Sequence, residues 1–437
     1  MKKDKETEID IEVNHTNHYN QKNHSSDKKG NDMKKWEKKK LGDVCGFVRG
    51  PFGGSLKKNI FKQNGYAVYE QQHAIYDQFN NVRYFIDENK FNEMKRFELT
   101  PGDLIMSCSG TMGKIAIVPE NIKKGIINQA LLKLSPSKKV LNVFLKLWMQ
   151  SESFQDSLKE YSGGAALQNV ASVAILKNIE ISLPPLPEQQ RIVSILDEAF
   201  AAIAKAKANA EQNLKNAKEL FESYLQRVFE NKGQGWEEKT LAEISDTFGR
   251  GKSKHRPRNY EKLYGGNYPF IQTGDIRNCN HYITEYSQTY SELGLAQSKL
   301  WPSGTICITI AANIAETGVL AFDACFPDSV IGLVVNDKLA DRDFVEYLLQ
   351  SFKARIQALG KGSAQANINM GTFENELFPF PPLKEQQAIV KKLDALSAET
   401  KKLEAIYQKK IEDLDELKKA VLGKAFRGEL IKENVIA

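Results

Sequence analysis

The stretch PPLPEQQRIV at residues 184–193 returns as PPLKEQQAIV at residues 381–390, and this repeated motif decides the fold. Pro184 and Pro185 favour extended backbone, because a proline ring restricts both its own residue and the one before it. Pro187 suits the first turn of a helix, where a missing amide hydrogen costs little, and Glu188 suits the positive end of the helix dipole. The motif therefore predicts that a long helix starts at equivalent places in two halves of the chain.

Other segments repeat at the same spacing of roughly 200 residues, which indicates an internal duplication. WEKKKL at 36–41 matches WEEKTL at 236–241, and Arg49-Gly50 matches Arg250-Gly251. LTPGDLIMS at 99–107 matches LWPSGTICIT at 300–309, and LQNV at 167–170 matches QANI at 365–368. Each half is therefore predicted to be one globular domain followed by one long helix.

The predicted helices carry apolar residues at heptad spacing. In the first helix these positions run from Ile192 to Val228, and nine of the eleven equivalent positions in the second helix are apolar. A seam of this kind predicts a coiled coil of two helices, each about 40 residues long. Only a short link joins the first helix to the second domain, and the second helix leaves that same domain, so the pair should be antiparallel.

The predicted fold class is α+β. Two tandem mixed α/β domains are each followed by a long helix, and the two helices form an antiparallel coiled coil with pseudo-twofold symmetry. Short apolar runs bounded by Gly, Pro and Asn predict the strands. The predicted boundaries are a disordered polar tail at 1–35, a first domain at 36–183, a first helix at 184–231, a second domain at 236–380 and a second helix at 381–430.

Composition limits the possible functions. The 61 basic and 55 acidic residues leave a net charge of +6, so binding to nucleic acid would depend on local clusters. The five cysteines form no CxxC pair, and no histidine stands at metal-ligand spacing from them, which predicts neither disulfides nor a zinc site. The chain has neither a signal-peptide core nor a long apolar run, so we expect a cytoplasmic protein that does not enter a membrane.

The chain lacks the motifs of common catalytic sites. GTMGK at 110–114 has too few residues between its glycines for a phosphate-binding loop, and neither HExxH nor GxSxG occurs. We therefore predict a non-catalytic protein. Two similar but different domains related by a pseudo-dyad suit duplex DNA, which is itself nearly twofold symmetric. The competing hypotheses are a two-armed protein-binding scaffold without DNA specificity and a nuclease with an unrecognised site.

The chain resembles the specificity (S) subunits of type I restriction-modification systems over residues 36–430. The resemblance is carried by LPPLPEQQRIV and FPPLKEQQAIV, by GTMGKIA at 110–116, by YPFIQTGDI at 268–276 and by GKAFRGEL at 423–430. It implies two target-recognition domains that read a bipartite, asymmetric DNA site. It also implies helices that dock two methyltransferase (M) subunits and, through them, endonuclease (R) subunits. The resemblance assigns no cofactor to this chain, since S-adenosylmethionine, ATP and magnesium would belong to the partners. The long polar leader departs from the family and leaves open whether Met1 is the true start.

Two loops are candidates for contact with DNA phosphates. GRGKSKHRPRNY at 249–260 is rich in cations, and RGPFGGSLKK at 49–58 is its weaker counterpart, although either could be an ordinary solvated loop.

Base reading requires side chains with paired donors and acceptors, and QQHAIY at 71–76 and QTGDIRN at 272–278 both follow an apolar strand. Helix or turn capping is the competing role for Asp275 and Asn278. The candidate DNA-binding residues are Arg49, Lys57, Lys58, Gln71, Gln72, His73, Arg250, Lys252, Lys254, Arg256, Arg258, Thr273, Asp275, Arg277 and Asn278. Weaker candidates are Gln168, Asn169, Gln365 and Asn367.

The Glu-Gln-Gln triplets of the repeated motif have two possible roles. They could cap the helices, or they could form a docking surface for partner subunits, and the two roles are compatible. The residues concerned are Glu188, Gln189, Gln190, Glu385, Gln386 and Gln387.

Overall fold

A computed structural model describes residues 36–160, 173–254, 257–311, 314–360 and 370–430. The predicted tail at 1–35 lies outside these ranges, as do Gln168, Asn169, Arg256, Gln365 and Asn367. The chain divides into two compact units, with the boundary between Val193 and Ser194.

The first unit contains three small sheets. Its core is formed by buried side chains such as Ala67, Ile105, Ile127 and Leu131, which lie on four different strands. The sheet orders are β2-β8-β5-β6, β4-β3-β7 and β1-β9. The elements are β1 (Glu37–Lys40), α1 (Leu41–Val44), β2 (Cys45–Arg49), β3 (Tyr66–Tyr69), α2 (Gln71–Tyr76), β4 (Tyr84–Ile86), α3 (Glu88–Glu93), β5 (Leu104–Ser107), β6 (Ile115–Ile117), β7 (Gly125–Ile127), β8 (Leu131–Pro136), α4 (Asn142–Gln150), α5 (Glu152–Glu160), α6 (Val173–Asn178), β9 (Glu180–Leu183) and the start of α7 (Leu186–Glu230).

The second unit repeats this plan with longer sheets. The sheet orders are β11-β19-β16-β17-β13, β14-β12-β18-β15 and β10-β20. After the rest of α7, the elements are β10 (Glu237–Lys239), β11 (Ser245–Arg250), β12 (Tyr264–Phe270), α8 (Thr273–Asn278), β13 (Tyr282–Ile283), β14 (Gln288–Tyr290), α9 (Glu292–Ala296), β15 (Leu300–Trp301), β16 (Ile306–Thr309), β17 (Thr317–Leu320), β18 (Ala324–Cys325), β19 (Val330–Val335), α10 (Arg342–Gly360), α11 (Met370–Glu374), β20 (Phe378–Phe380) and α12 (Leu383–Phe426).

Two long helices in mixed α/β surroundings confirm the predicted fold class. In the second unit, α7 and α12 are antiparallel, because Lys207 of α7 pairs with Asp415 of α12 at 2.6 Å while Phe200 lies under the ammonium group of Lys418. The C-terminal part of α7 and the N-terminal part of α12 also share one core, to which they contribute Phe229 and Leu393.

The heptad positions form the shielded side of both helices. All eleven positions of the first helix and nine of the second are buried or half-buried, and the exceptions are Leu403 and Lys418. Two seam positions of the second helix are polar, and both have a physical account. The hydroxyl of buried Thr400 donates to the carbonyl of Leu396 at 2.9 Å, and the ammonium group of Lys418 lies 5.0 Å from the ring centre of Phe200.

Each unit pairs its first strand with its last. β1 pairs antiparallel with β9, and β10 pairs antiparallel with β20. This pairing brings the tryptophan before the first strand to the start of the long helix. The indole N–H of Trp36 donates to Glu188 at 3.0 Å, and that of Trp236 donates to Glu385 at 3.1 Å. In each unit the repeated tryptophan and the repeated glutamate therefore form one hydrogen bond between the first strand and the long helix, which we call the Trp–Glu latch.

The first glutamine of each triplet is buried at the helix start. The side chain of Gln189 accepts from the amide of Leu141 at 2.8 Å and donates to the carbonyls of Lys139 at 3.0 Å and Pro184 at 2.8 Å. Gln386 repeats the arrangement, since it accepts from the amide of Asp341 and donates to Pro381, each at 2.8 Å. We call this pattern the glutamine clamp.

The clamp corrects part of the docking prediction. Gln189 and Gln386 are 0% and 1% exposed, and their side-chain amides are occupied by backbone groups, so neither can form a docking surface. Gln190 and Gln387 are exposed and Glu188 and Glu385 are half-buried, so docking stays a prediction for these four.

In each unit a residue with left-handed backbone also forms an ion pair with the fifth residue of a later helix, α4 in the first unit and α10 in the second. In the first unit, Asp77 (φ 52°) pairs with Lys146 at 2.6 Å. In the second, His281 (φ 68°) has its Nδ1 atom 2.6 Å from Glu346 and its Nε2 atom 3.3 Å from Asp343. The fifth residue of this helix is thus in an ion pair in both units, as a cation in α4 and as an anion in α10.

The clamp predicts an asymmetric response to two adjacent substitutions. Gln189→Leu keeps the side-chain size but leaves one buried amide and two carbonyls without their partner, so the free energy of unfolding should fall by about 2–4 kcal/mol. Gln190→Leu, at the exposed neighbour, should change it by less than about 0.5 kcal/mol. Urea unfolding of the full chain measures both values, and equal stabilities would contradict the clamp.

The ion pair of His281 predicts a pH dependence. Burial would lower the pKa of His281, but the hydrogen bonds and charges of Asp343 and Glu346 outweigh it and raise that pKa from 6.5 to about 9. The stabilisation is therefore complete below pH 6.5 and is lost as the pH rises through 9. We expect unfolding free energy to fall by about 2 kcal/mol across this range. His281→Gln, compared by urea unfolding at both ends of the range, should remove this part of the dependence; an unchanged slope would contradict the assignment.

Candidate nucleic-acid interface

The Arg-Gly pair that repeats in the sequence marks the end of a strand and the start of a basic loop. Arg49 ends β2 and Arg250 ends β11. The amide of Gly50 donates to the carbonyl of Leu131 at 2.9 Å, and the amide of Gly251 donates to that of Val330, also at 2.9 Å. Both loops therefore leave the sheet in the same way.

Glycine is required at this step by close backbone approach. A Cβ atom on Gly50 would lie 1.8 Å from the carbonyl oxygen of Asn128, and one on Gly251 would lie 2.3 Å from that of Phe326. No side chain fits at these distances without moving the neighbouring strand connection. The repeat thus preserves the backbone geometry from which the two loops are built.

Asp328 holds the basic loop of the second unit. The guanidinium of Arg250 donates to the carbonyl oxygen of Asp328 at 2.7 Å, and that of Arg258 donates to its carboxylate at 2.8 Å. The loop is held further by the hydroxyl of Ser298, which donates to the carbonyl of Lys252 at 2.8 Å. Two of the predicted phosphate contacts are therefore engaged within the protein.

Lys252 and Lys254 are two further exposed cations of this loop. Within the described part of the chain, neither forms an ion pair with a carboxylate. A third cation lies nearby, since burial and the charge of Lys252 lower the pKa of Lys299, whose ammonium group is 3.5 Å from the ring centre of Trp301. Sequence analysis missed Lys299, because it is distant from the loop along the chain and belongs to no motif.

The first unit has a smaller set of cations. Lys57 and Lys58 are exposed, whereas Arg49 is half-buried. Burial raises the pKa of the Cys108 thiol to about 12, and the adjacent Arg49 guanidinium opposes that increase. All five cysteines are free, and four of them are buried.

The base-reading candidates fall on two short helices at equivalent places. α2 starts at Gln71 after β3, and α8 starts at Thr273 after β12. The side chain of the third residue of each helix caps the helix start, because it accepts a hydrogen bond from the amide of the residue before the helix. The amide of Glu70 donates to Nδ1 of His73 at 2.9 Å, and the amide of Gln272 donates to Asp275 at 2.8 Å.

Two of these candidates are corrected by the structure. His73 is 1% exposed, and its Nε2 atom lies 3.0 Å from the carbonyl oxygen of Asn81, so both ring nitrogens are occupied. His73 therefore serves the helix cap and cannot reach a base in this conformation. Asp275 is half-buried in the equivalent cap, which is the competing role considered for it.

The other candidates differ in their surroundings. The side chain of Gln71 accepts from the hydroxyl of Ser109 at 3.1 Å, and Gln72 lies within 3.4 Å of the carbonyl of Asn81. Thr273 is half-buried, and Asn278 is exposed. Arg277 is exposed, but it lines a groove whose other walls include Glu219 and Glu222 of α7. Because these two carboxylates repel an anionic ligand, Arg277 is the weakest of the base-reading candidates.

Among the described residues, no group of three His, Cys, Asp or Glu side chains is arranged to hold a metal ion. In the same part of the chain, no helix has both the length and the apolar character that a membrane span requires.

Two duplicated α/β domains with loops of exposed lysines, connected to paired long helices, define a DNA-recognition protein of the two-domain type. The family described as "Type I restriction modification DNA specificity domain" matches this chain twice, at residues 33–215 and 233–413. The chain therefore belongs to that family, and it is a specificity subunit, which is a non-catalytic class.

Individual relatives cover most of the chain. The type I restriction enzyme MjaVIII specificity subunit of Methanocaldococcus jannaschii is 24% identical, over 92% of this chain and 94% of its own length. The EcoKI specificity subunit of Escherichia coli is 22% identical over 79% of this chain and 78% of its own length. A chain from a solved structure on assembly and conformational transition of a type I restriction-modification system has the same fold, with a TM-score of 0.72, 20% identity and coverage of 91% of this chain and 98% of its own.

The two glycines on either side of Arg250 provide a matched test of the Arg-Gly step. Gly251→Ala places a methyl group against the Phe326 carbonyl, so we expect a loss of about 1–3 kcal/mol in the free energy of unfolding. Gly249→Ala points into open space and should change it by less than about 0.5 kcal/mol. Urea unfolding measures both, and tolerance of Gly251→Ala would show that the close approach is not needed.

Proposed function

We propose that this chain reads a bipartite, asymmetric DNA sequence, with one unit contacting each half of the site. The observation that carries the proposal is the pair of equivalent loops and helices with different side chains. The two Arg-Gly steps are alike, but the first loop continues with Pro51 and Phe52, whereas the second continues with Lys252 and Ser253. Two surfaces built on the same frame with different groups suit two half-sites of different sequence.

The proposed contacts divide into two kinds. Lysines that are exposed and unpaired within the described chain are suited to phosphate contact, which positions DNA without specifying its sequence. The proposed phosphate contacts are the exposed Lys57, Lys58, Lys252 and Lys254 and the half-buried Lys299, with Arg49, Arg250 and Arg258 supporting the loops and Arg256 outside the described residues. Amide and hydroxyl groups at the starts and ends of α2 and α8 are suited to base edges. The proposed base contacts are Gln71, Gln72, Thr273 and Asn278, with Arg277 as a further candidate.

We also propose that α7 and α12 dock two M subunits, and through them the R subunits. Apolar side chains remain exposed along α12, including Leu403 at 37%, Ile406 at 50% and Leu417 at 47%, and Leu220 of α7 is 50% exposed. We propose that these side chains contribute to the docking surface together with the exposed Gln190 and Gln387 at the starts of the helices. The S-adenosylmethionine, ATP and magnesium of such a complex would be held by those partners.

The cytoplasm is the proposed compartment. Free thiols persist where the environment is reducing, and this chain has five of them. Burial raises the pKa of Cys45 to about 12, so this thiol stays protonated and unreactive at neutral pH.

The test is to map methylated bases in the DNA of cells that express this chain together with its M subunit, and in matched cells that lack only this chain. We expect a split, asymmetric methylated motif with a fixed gap between its halves, and we expect it to disappear when the chain is absent. Exchanging one unit for that of another specificity subunit should change only one half of the motif. Unchanged methylation in the presence of an active M subunit would contradict the proposal and favour the scaffold hypothesis.

A further inference from the structure

Phe52 is the most exposed large apolar side chain in the described residues. Its exposed fraction is 91%, whereas Tyr76, the next highest, is at 70%. A phenylalanine in this position loses the stabilisation that burial would give it, so the exposure requires an explanation.

The loop around Phe52 is held in place by hydrogen bonds and by packing. Gly50 is fixed to the carbonyl of Leu131, Pro51 is buried, and Leu56 packs in a core cluster. Between them, the amide of Ser55 donates to the carbonyl of Phe52 at 2.9 Å and closes a short 3-10 turn at Gly53–Ser55. Both flanks are therefore anchored, and the anchoring directs the ring of Phe52 outward.

The surroundings of Phe52 are cationic. Arg49 precedes it, while Lys57 and Lys58 follow it and are exposed. No acidic residue occurs between Asp43 and Glu70. An apolar ring between cations does not match an apolar protein surface, which would have to cover those charges. It matches duplex DNA, whose phosphates lie on both sides of the stacked bases.

We propose that Phe52 is an apolar wedge that enters the base stack at or beside the half-site read by the first unit. Lys57 and Lys58 bind phosphates beside the opened step, and the ring replaces part of the lost stacking. The inference rests on the proposed function and extends it to Phe52 and to recognition by insertion into the base stack. Such a wedge favours sequences whose base steps unstack readily, so it adds specificity without hydrogen bonds.

The wedge belongs to one half-site only. At the equivalent place after Arg250-Gly251, the second loop has Lys252 and then Ser253, which is 9% exposed. At the position equivalent to Phe52 the second unit has the nearly buried Ser253 instead of a ring, so we expect no such opening in its half-site.

The experiment uses the full chain in complex with its M subunits and duplexes of the mapped target that carry a fluorescent base analogue, such as 2-aminopurine, at successive positions. Binding should raise the fluorescence at one step of the first half-site, because unstacking relieves quenching. In Phe52→Ala this increase should disappear, and the affinity for the target should fall roughly tenfold. In Phe52→Trp both should be retained. An increase caused by flipping of the methylated base would persist in Phe52→Ala, which separates it from the wedge.

The matched control removes the charges and keeps the ring. Lys57→Gln combined with Lys58→Gln should preserve the fluorescence increase, while the slope of log affinity against log salt concentration should fall by about 1.8, or about 0.9 for each phosphate contact. Phe52→Ala should leave that slope unchanged.

The outcomes are distinguishable. If a split methylated motif is found and Phe52→Ala alters neither fluorescence nor affinity, the wedge is wrong and the proposed function stands. If Phe52→Ala binds DNA normally but no longer assembles with the M subunit, Phe52 is a protein contact and the wedge is again wrong. If no sequence-specific methylation depends on this chain, the proposed function fails, and the wedge fails with it.

Discussion

The fold depends on a buried glutamine at the start of each long helix. The side chain of Gln189 uses its oxygen and its amide group on backbone atoms of two segments, the approach to α4 and the end of the strand that leads into α7. Gln386 does the same at Asp341 and Pro381. A buried backbone group without a partner is costly, so the clamp fixes the direction in which each helix leaves its domain. A helix of about 45 residues amplifies any error in that direction over its length of roughly 65 Å.

The duplication has kept the parts that organise backbone and changed the parts that face outward. The Trp–Glu latch, the glutamine clamp and the Arg-Gly step recur with nearly the same distances. The fifth residue of α4 and of α10 also forms an ion pair in each unit, Lys146 with Asp77 and Glu346 with His281, although Asp77 and His281 do not occupy matching positions of the repeat. The loops and helix starts that carry the DNA candidates differ in sequence between the two units.

Sequence analysis predicted what depends on local pattern and periodicity. The helix starts follow from proline stereochemistry, and the seam follows from heptad spacing, although Leu403 and Lys418 of the second helix are exposed. It was wrong where the role of a polar side chain depends on residues distant along the chain. Gln189 and His73 are buried because the backbone at Leu141 and Asn81 happens to lie within reach. Lys299 joins the basic surface for the same reason, since its position near Lys252 follows from the folding of the second unit.

The residues that stabilise each unit are different from the residues that are proposed to recognise DNA. The glycine of each Arg-Gly step is held by backbone at distances that exclude any side chain, so the residue there cannot vary without cost. The residues just beyond it lie outside the core and can vary freely: Phe52 is almost fully exposed, and Lys252 is exposed at the corresponding part of the other loop. Substitution at these positions changes the ligand that a loop can read while the clamp, the latch and the helices keep their geometry. This arrangement allows one duplicated domain to carry two different specificities in a single chain.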